Sequence, residues 1–390
     1  MKPGLNGSRR AAFVAFGAFS GINQSVYEAL RRRLPGYELV WIDPGMSTRR
    51  GQLDALRQLA WAAAEFGPET GFDPVDWKIR RRWTTRVFER RSREARAQVS
   101  QGRYRFSVQM QSHYDASVPG LPHFVYSDNT LLANRHYTDT SALLGRPMRR
   151  PGELPVTPRW LELERNLYRN AVTTFTMSRN VHRSLIEDYG CREDQAAIAL
   201  AGCNARIATD FQNNYGSANI VFVGVDWERK GGPQLVEAFR HVRTRFPNAT
   251  LTVVGCTPSV TEPGVTIVGR IPFDEVWRYY TKASVFAMPT RYEPFGIVFL
   301  EAMAHRLPIV ATNLAAIPDF VTHGENGFLI EPDDVESLAT HLTSLIGNPD
   351  LCRTMGERGA SVARRYTWDH TADIMASEIE RRLLTPLHAP

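Results

Sequence analysis

The chain has 390 residues, 43 % of them hydrophobic and 23 % charged, with a formal net charge of +6. That size accommodates two or three domains with real cores, and that composition excludes a disordered chain. No run of about 18 apolar residues occurs, so no spanning helix is expected. Met1–Arg10 is polar and lacks a signal-peptide core, so a cytoplasmic location is expected. The four cysteines, Cys191, Cys203, Cys256 and Cys352, show no metal-ligand spacing; neither disulfides nor a bound metal is expected.

In chain order, short apolar runs predict strands at Ala11–Gly17, Tyr37–Asp43, Tyr104–Met110, Phe124–Ser127, Val172–Met177 and Ala196–Ala201. Helical patterns occupy Ile22–Arg33, Leu53–Phe66, Trp160–Asn170 and Asn180–Tyr189. Lys78–Arg96 carries nine Lys or Arg against two Glu. It reads as a solvated helix face or, with Trp83 and Phe88 as apolar anchors, as a surface that docks peripherally on an anionic membrane at its inner face. No nucleic-acid motif accompanies the charge, so nucleic acid is not an expected partner. Leu144–Pro158, rich in proline, reads as an irregular surface loop, and polar Ala205–Ala218 as a linker.

The pattern then restarts. Strands are predicted at Ile220–Gly224, Leu251–Gly255, Val265–Val268, Val285–Met288 and Ile309–Thr312. Helices are predicted at Pro233–Val242, Phe273–Lys282, from Gly296 onward, and at Val335–Ile346, Pro349–Arg364 and Trp368–Leu384. Such alternation implies parallel sheets covered on both faces. The fold class is therefore α/β, with two Rossmann-like domains facing across a cleft, one over 1–205 and one over 216–367.

The chemistry concentrates at Arg291–Glu301, Arg-Tyr-Glu-Pro-Phe-Gly-Ile-Val-Phe-Leu-Glu. Pro294 forces Glu293 out of helical geometry, and Gly296 permits close backbone approach at a helix start. The free amides there suit a pyrophosphate. Glu293 precedes the helix and Glu301 lies inside it; an all-helical step of that length spans about 12 Å, the scale of a sugar nucleotide. Helix capping and a satisfied buried carboxylate are the alternatives that this spacing leaves open. A second station is Phe222–Gly232, where Gly224 ends a strand and the basic pair Arg229-Lys230 precedes a helix; fixed cations stabilise a departing diphosphate. Gly17–Gly21 forms a small-residue turn after the first strand, suited to a phosphate, an acceptor or a plain turn. His123–Thr130 ends a strand at Asp128, an acceptor-side candidate or a turn cap; His136 follows. Ser178, Arg179 and Arg270 end other strands, Arg270 as a candidate neighbour of a nucleotide base. No Asp-x-Asp, Gly-x-Gly-x-x-Gly or Walker motif occurs in these contexts.

The run EPFGIVFLEAMAHRLPIVATNLAAIPDFVTHGENGFLI resembles glycosyltransferase family 4, retaining enzymes of the GT-B fold within the glycosyl transferases group 1. The resemblance is strong over Asn219–Leu345 and weak before it. It implies that Glu293 contacts the donor hexose, that amides near Phe295, Gly296 and Ile297 meet hexose or phosphate, and that Glu301 binds the ribose hydroxyls. Lys230 matches the family lysine, whereas Val225 stands where an arginine is expected, so Arg229 is the candidate substitute. Asp128 stands where many members have a histidine. The resemblance also implies that the last helix, within 368–390, packs back on the N-terminal domain, which holds most of the acceptor site. A retaining hexosyl transfer from a nucleoside-diphosphate sugar to a glycan, lipid-linked or small-molecule hydroxyl is implied, with no cofactor or metal. The rivals are an epimerase or phosphorylase of the same fold and a non-catalytic sugar-nucleotide-binding subunit.

Overall fold

The computed structural model describes residues 9–17, 21–47, 52–70, 74–133, 156–204 and 211–384. They divide into two compact units, one formed by described residues up to 200 together with 368–384, the other by those from 201 to 367.

The first unit is built on strands β1 (Arg9–Val14), β2 (Tyr37–Ile42), β3 (Ser107–Met110), β4 (His123–Ser127), β5 (Thr173–Thr176) and β6 (Ala196–Ile198), in the order β2-β1-β3-β4-β5-β6 and all parallel. The central strands are buried on both faces, which is why they read as near-continuous apolar runs. Around them lie α1 (Ile22–Arg33), α2 (Gln52–Thr70), α3 (Pro74–Arg80), α4 (Thr85–Ser100), α5 (Pro158–Asn170) and α6 (Arg179–Glu187). Thr84, Thr157 and Ser178 cap α4, α5 and α6 through side-chain oxygens.

The second unit holds β7 (Asn219–Val223), β8 (Thr250–Val254), β9 (Val265–Gly269), β10 (Val285–Met288), β11 (Ile309–Thr312) and β12 (Gly327–Ile330), parallel in the order β12-β11-β10-β7-β8-β9. Its helices are α7 (Gly232–Arg245), α8 (Trp277–Tyr280), α9 (Ile297–Ala304), α10 (Val335–Ile346) and α11 (Pro349–Ala363). The chain then returns to the first unit as α12 (Trp368–Leu384), which packs on α1.

The structure departs from the sequence reading at several points. Trp83 and Phe88 are not surface anchors: Phe88 is buried against Trp160 at 5.5 Å between ring centroids, and Trp83 packs on Trp160 at 5.6 Å and His113 at 5.0 Å. Aromatic area of that size is stabilised more by the core than by a surface. The helix expected over Phe273–Lys282 is a 3₁₀ turn at Phe273–Glu275 followed by the single turn α8, a run too short for propagation to offset nucleation. The predicted linker is partly bound: Asn213 Nδ2 donates to the His305 carbonyl (2.8 Å) and Tyr215 Oη to that of Arg306 (2.9 Å). Residues 205–210, most of the expected loop at 144–158, His136 and residues 18–20 of the glycine turn lie outside the described residues. Among the described residues, no helix is long and apolar enough to cross a membrane.

Candidate active site

In the second unit the chain runs from β7 outward through β8 to the edge strand β9, then returns to the other side of β7 as β10. The connections leaving β7 and β10 therefore diverge at their carboxyl ends, the crevice where open α/β sheets bind ligands. Arg229 and Lys230 follow β7, and Glu293 follows β10.

Glycines bring these residues together. A Cβ on Gly224 would lie 2.4 Å from Lys230 Cδ, so a side chain there would displace the lysine stem that crosses the strand end. Gly231 has φ +75°, and a Cβ there would lie 1.9 Å from the Pro289 carbonyl oxygen. The turn is also bonded to the β10 extension: Arg291 N and Thr290 Oγ1 donate to the Arg229 carbonyl at 2.9 and 3.2 Å.

Lys230 Nζ then stands 3.2 Å from Glu293 Oε2, and Arg229 Nη1 3.5 Å from the same oxygen. Arg229 is braced by Asp226 Oδ2 at 3.2 Å and by the Tyr292 carbonyl. Lys230 is only 7 % exposed, so its charge acts in a poorly screened setting. Burial pushes the Glu293 carboxyl up, but Lys230 and then Arg229 outweigh it and hold the group below the usual glutamate range. Val225, where the arginine was expected, is 64 % exposed.

Gly296, with φ +86°, is the N-cap of α9 and no side chain caps that end. The helix start therefore offers backbone amides and the positive end of a dipole. Phe295 is buried against Phe320, and half-buried Ile297 opens the helix. Glu301 is 2 % exposed and accepts from Tyr280 Oη at 3.1 Å. Burial pushes its carboxyl up to about 7, against the pull of Tyr280 and then Lys230.

Arg229, Lys230, Glu293 and Gly224 thus form one cluster, with Glu301 within electrostatic range of Lys230. Arg270 is exposed just past β9. Gly17 and Asp128 belong to the first unit. Gly17 has φ +61° and its carbonyl accepts from Asn23 Nδ2 at 3.0 Å. Half-buried Asp128 follows β4 and acts electrostatically on Tyr126 and Tyr168. His123 is a core residue, 2.8 Å from Ser107 Oγ and pushed down to about 4 by burial. Buried Ser178 is the cap of α6, and Arg179 is exposed. Among the described residues no three His, Cys, Asp or Glu side chains gather as metal ligands do. The sequence reading missed Asp226, Thr290 and Tyr280; only Asp226, three residues before Arg229, carried a local signal.

Sucrose-phosphate synthase from Thermosynechococcus elongatus superposes with a TM-score of 0.65 at 16 % identity, over 96 % of this chain and 99 % of that one. The fold is GT-B. Residues 217–348 match the family model of glycosyl transferases group 1. An uncharacterized glycosyltransferase of Methanocaldococcus jannaschii is 27 % identical over 183 residues, which are 45 % of this chain and 51 % of that protein. A GDP-mannose-dependent alpha-(1-6)-phosphatidylinositol monomannoside mannosyltransferase of Mycobacterium tuberculosis is 32 % identical over 167 residues, 38 % and 43 % of the respective chains. The chain spans about half the length of the curated relatives it matches.

Proposed function

We propose that this chain is a retaining glycosyltransferase that moves a hexose from a nucleoside-diphosphate sugar to an acceptor hydroxyl in glycan, polysaccharide or glycolipid synthesis. The observation that carries the proposal is the convergence of Lys230, Arg229 and Glu293 at the switch point between β7 and β10. The name of the mycobacterial relative, GDP-mannose-dependent, supports a nucleotide-sugar donor.

In this reading Glu293 receives the hexose, and Lys230, Arg229 and the amides at Phe295–Ile297 take the diphosphate. Glu301 takes the ribose diol. Arg270 faces the base, with Phe273, 56 % exposed in the following turn, as an apolar neighbour. Gly17 is assigned to donor binding and Asp128 to the acceptor. The acceptor oxygen attacks the anomeric carbon on the face from which the phosphate departs. The bond to the phosphate oxygen breaks, and that phosphate takes the acceptor's proton. Charge builds on the leaving group, where preorganised cations and amides are worth most. No cofactor enters the scheme and the cations replace a metal, so EDTA is expected to leave the rate unchanged.

A thermal-shift screen against UDP, GDP, ADP and dTDP sugars tests donor binding, and product formation by Glu293→Gln tests the catalytic assignment. Unchanged turnover in that variant would overturn it. Conversion of one sugar nucleotide to another without acceptor would favour the epimerase instead.

The partner surface is a separate proposal: peripheral contact with an anionic membrane through the first unit. On α2, Leu53 and Leu56 are 81 % and 62 % exposed. Beside them is an apolar groove lined by Leu59, Ala60, Ala63, Pro74 and Trp77, ending at exposed Lys78. Arg82 and Arg86 are exposed along the continuing segment. Apolar anchors within a cationic fringe fit a lipid headgroup boundary. Flotation with anionic vesicles at low salt checks it: wild type should float and Leu53→Glu/Leu56→Glu should not, and a wild type that stays behind would end the idea.

A further inference from the structure

Glu301 is held by a residue that no local spacing announces. Tyr280, 1 % exposed on α8, donates its hydroxyl to Glu301 Oε2 over 3.1 Å. The tyrosine ring is fixed on both sides, stacked on His305 at 5.3 Å and packed on Phe286 at 6.1 Å. His305 is itself pinned. Its Nδ1 lies 2.8 Å from the Glu301 carbonyl, its own carbonyl accepts from Asn213, and Phe211 packs on its ring at 5.4 Å. Tyr280 therefore reaches Glu301 from a rigid socket rather than by a rotamer choice. A carboxylate accepts through two oxygens. With Oε2 committed to Tyr280, the plane of the group is set, and Oε1 is the oxygen that the donor-site reading gives to the ribose.

We propose that Tyr280 is the positioning residue for recognition of the ribose diol, holding Glu301 oriented to accept a hydrogen bond from it. The proposal rests on Glu301 facing the ribose in the donor site described above. Its energetic logic is that of a buried acid. Burial drives the Glu301 carboxyl toward its neutral form, up to about 7, and the hydroxyl of Tyr280 is the larger of two opposing influences, Lys230 being the other. The remaining polar neighbours are His305, through its bond to the Glu301 carbonyl, and Cys203, which acts on Tyr280. Without the tyrosine hydroxyl the carboxyl ionises at higher pH, and the ribose meets a neutral acid near neutrality. A buried site built to accept a hydroxyl discriminates strongly against the ligand that lacks it.

Tyr280→Phe removes one oxygen and keeps the stacked ring. The full chain and this variant are titrated calorimetrically with UDP, GDP, their 2′-deoxy counterparts and inorganic pyrophosphate, at about pH 6, 7 and 8.5. The wild type is expected to favour the ribonucleotides about 10-fold at the higher pH, with the preference shrinking toward the lower. Tyr280→Phe should lose the preference near neutrality, regain part of it only at the highest pH, and bind pyrophosphate as the wild type does. An unchanged preference and pH profile in the variant overturns the proposal, as does an equal weakening of every ligand, the mark of a packing role. Should Tyr280→Phe fail to fold, Glu301→Gln decides: loss of the preference at every pH supports the proposal, and its retention overturns it. A wild type that binds nucleotides without regard to the 2′-hydroxyl defeats this proposal alone. One that binds none of them defeats the donor-site reading beneath it.

Discussion

Glu293 and Glu301 lie eight positions apart and titrate in opposite directions. Glu293 is held below the usual glutamate range because Lys230 and Arg229 outweigh its burial. Its stabilising contribution is therefore present above about pH 4.3 and is lost as pH falls through the depressed value. Glu301 is raised to about 7 by burial. Its contribution is complete below the unfolded value and disappears as pH climbs through about 7. Glu301→Gln, which still accepts from Tyr280, should escape that loss. Urea unfolding at about pH 5 and about pH 8 should show the wild type losing on the order of 2–3 kcal/mol relative to the variant across that interval. Lys230→Met keeps the stem over Gly224 and deletes the charge. Its transfer rate is expected to fall about 10²–10³-fold in initial-rate assays, and the Glu293 carboxyl to move upward. Gly224, Lys230, Pro294 and Gly296 stand out as candidates in the sequence because each acts on near neighbours. The electrostatics were not legible there, since Tyr280 meets Glu301, and Arg229 meets Tyr292 and Glu293, from different elements. Trp83 and Phe88 were misread for a related reason: their cationic neighbours dominate the sequence, while Trp160, which covers them, lies far along the chain.

The turn from β7 into α7 positions the cluster as a unit. Gly231 combines a left-handed backbone with contact to the Pro289 carbonyl oxygen, so the turn tolerates no side chain. Gly324 has φ +80° but open space around its Cβ direction and offers a control. Gly231→Ala should destabilise by about 2–4 kcal/mol through steric overlap added to strain, and lower activity further by displacing Lys230. Gly324→Ala should cost only about 1 kcal/mol and leave turnover unchanged. Thermal melts with parallel rate measurements separate the two; equal losses of activity would contradict the argument. At this scale the strands were legible because burial on both faces makes them apolar throughout. The short edge strand β12 was not, being half-buried at Phe328 and Leu329 and paired with β11 on one side of the sheet. The apolar stripe of α4, Val87, Phe88, Ala95 and Val99, was masked by the charges around it.

At the scale of the whole molecule, the alternation of strand and helix disclosed two parallel sheets, but periodicity carries no information on where a final helix goes. The return of α12 to the first unit was implied by family resemblance alone. The structure supplies the physical reason: Ala372, Met375, Ala376 and Ile379 are buried on one face, while Arg32–Asp369 and Arg33–Asp373 bridge its exposed flank to α1 at 2.8 and 2.9 Å. These two classes of contact should differ sharply in worth. Exposed ion pairs contribute between about 0 and 1 kcal/mol each and fade with salt, whereas truncating a buried isoleucine costs about 2–5 kcal/mol. Arg32→Ala/Arg33→Ala should accordingly shift the chemical-denaturation midpoint little, and not at all in high salt. Ile379→Ala should shift it strongly at every ionic strength. Because 379 lies far along the chain from α1, that loss should appear as destabilisation of the first unit. Hydrogen exchange would report it in β1 and α1, leaving β7 and β10 protected as before. Equal deprotection of both sheets would mean instead that the two units unfold as one cooperative body.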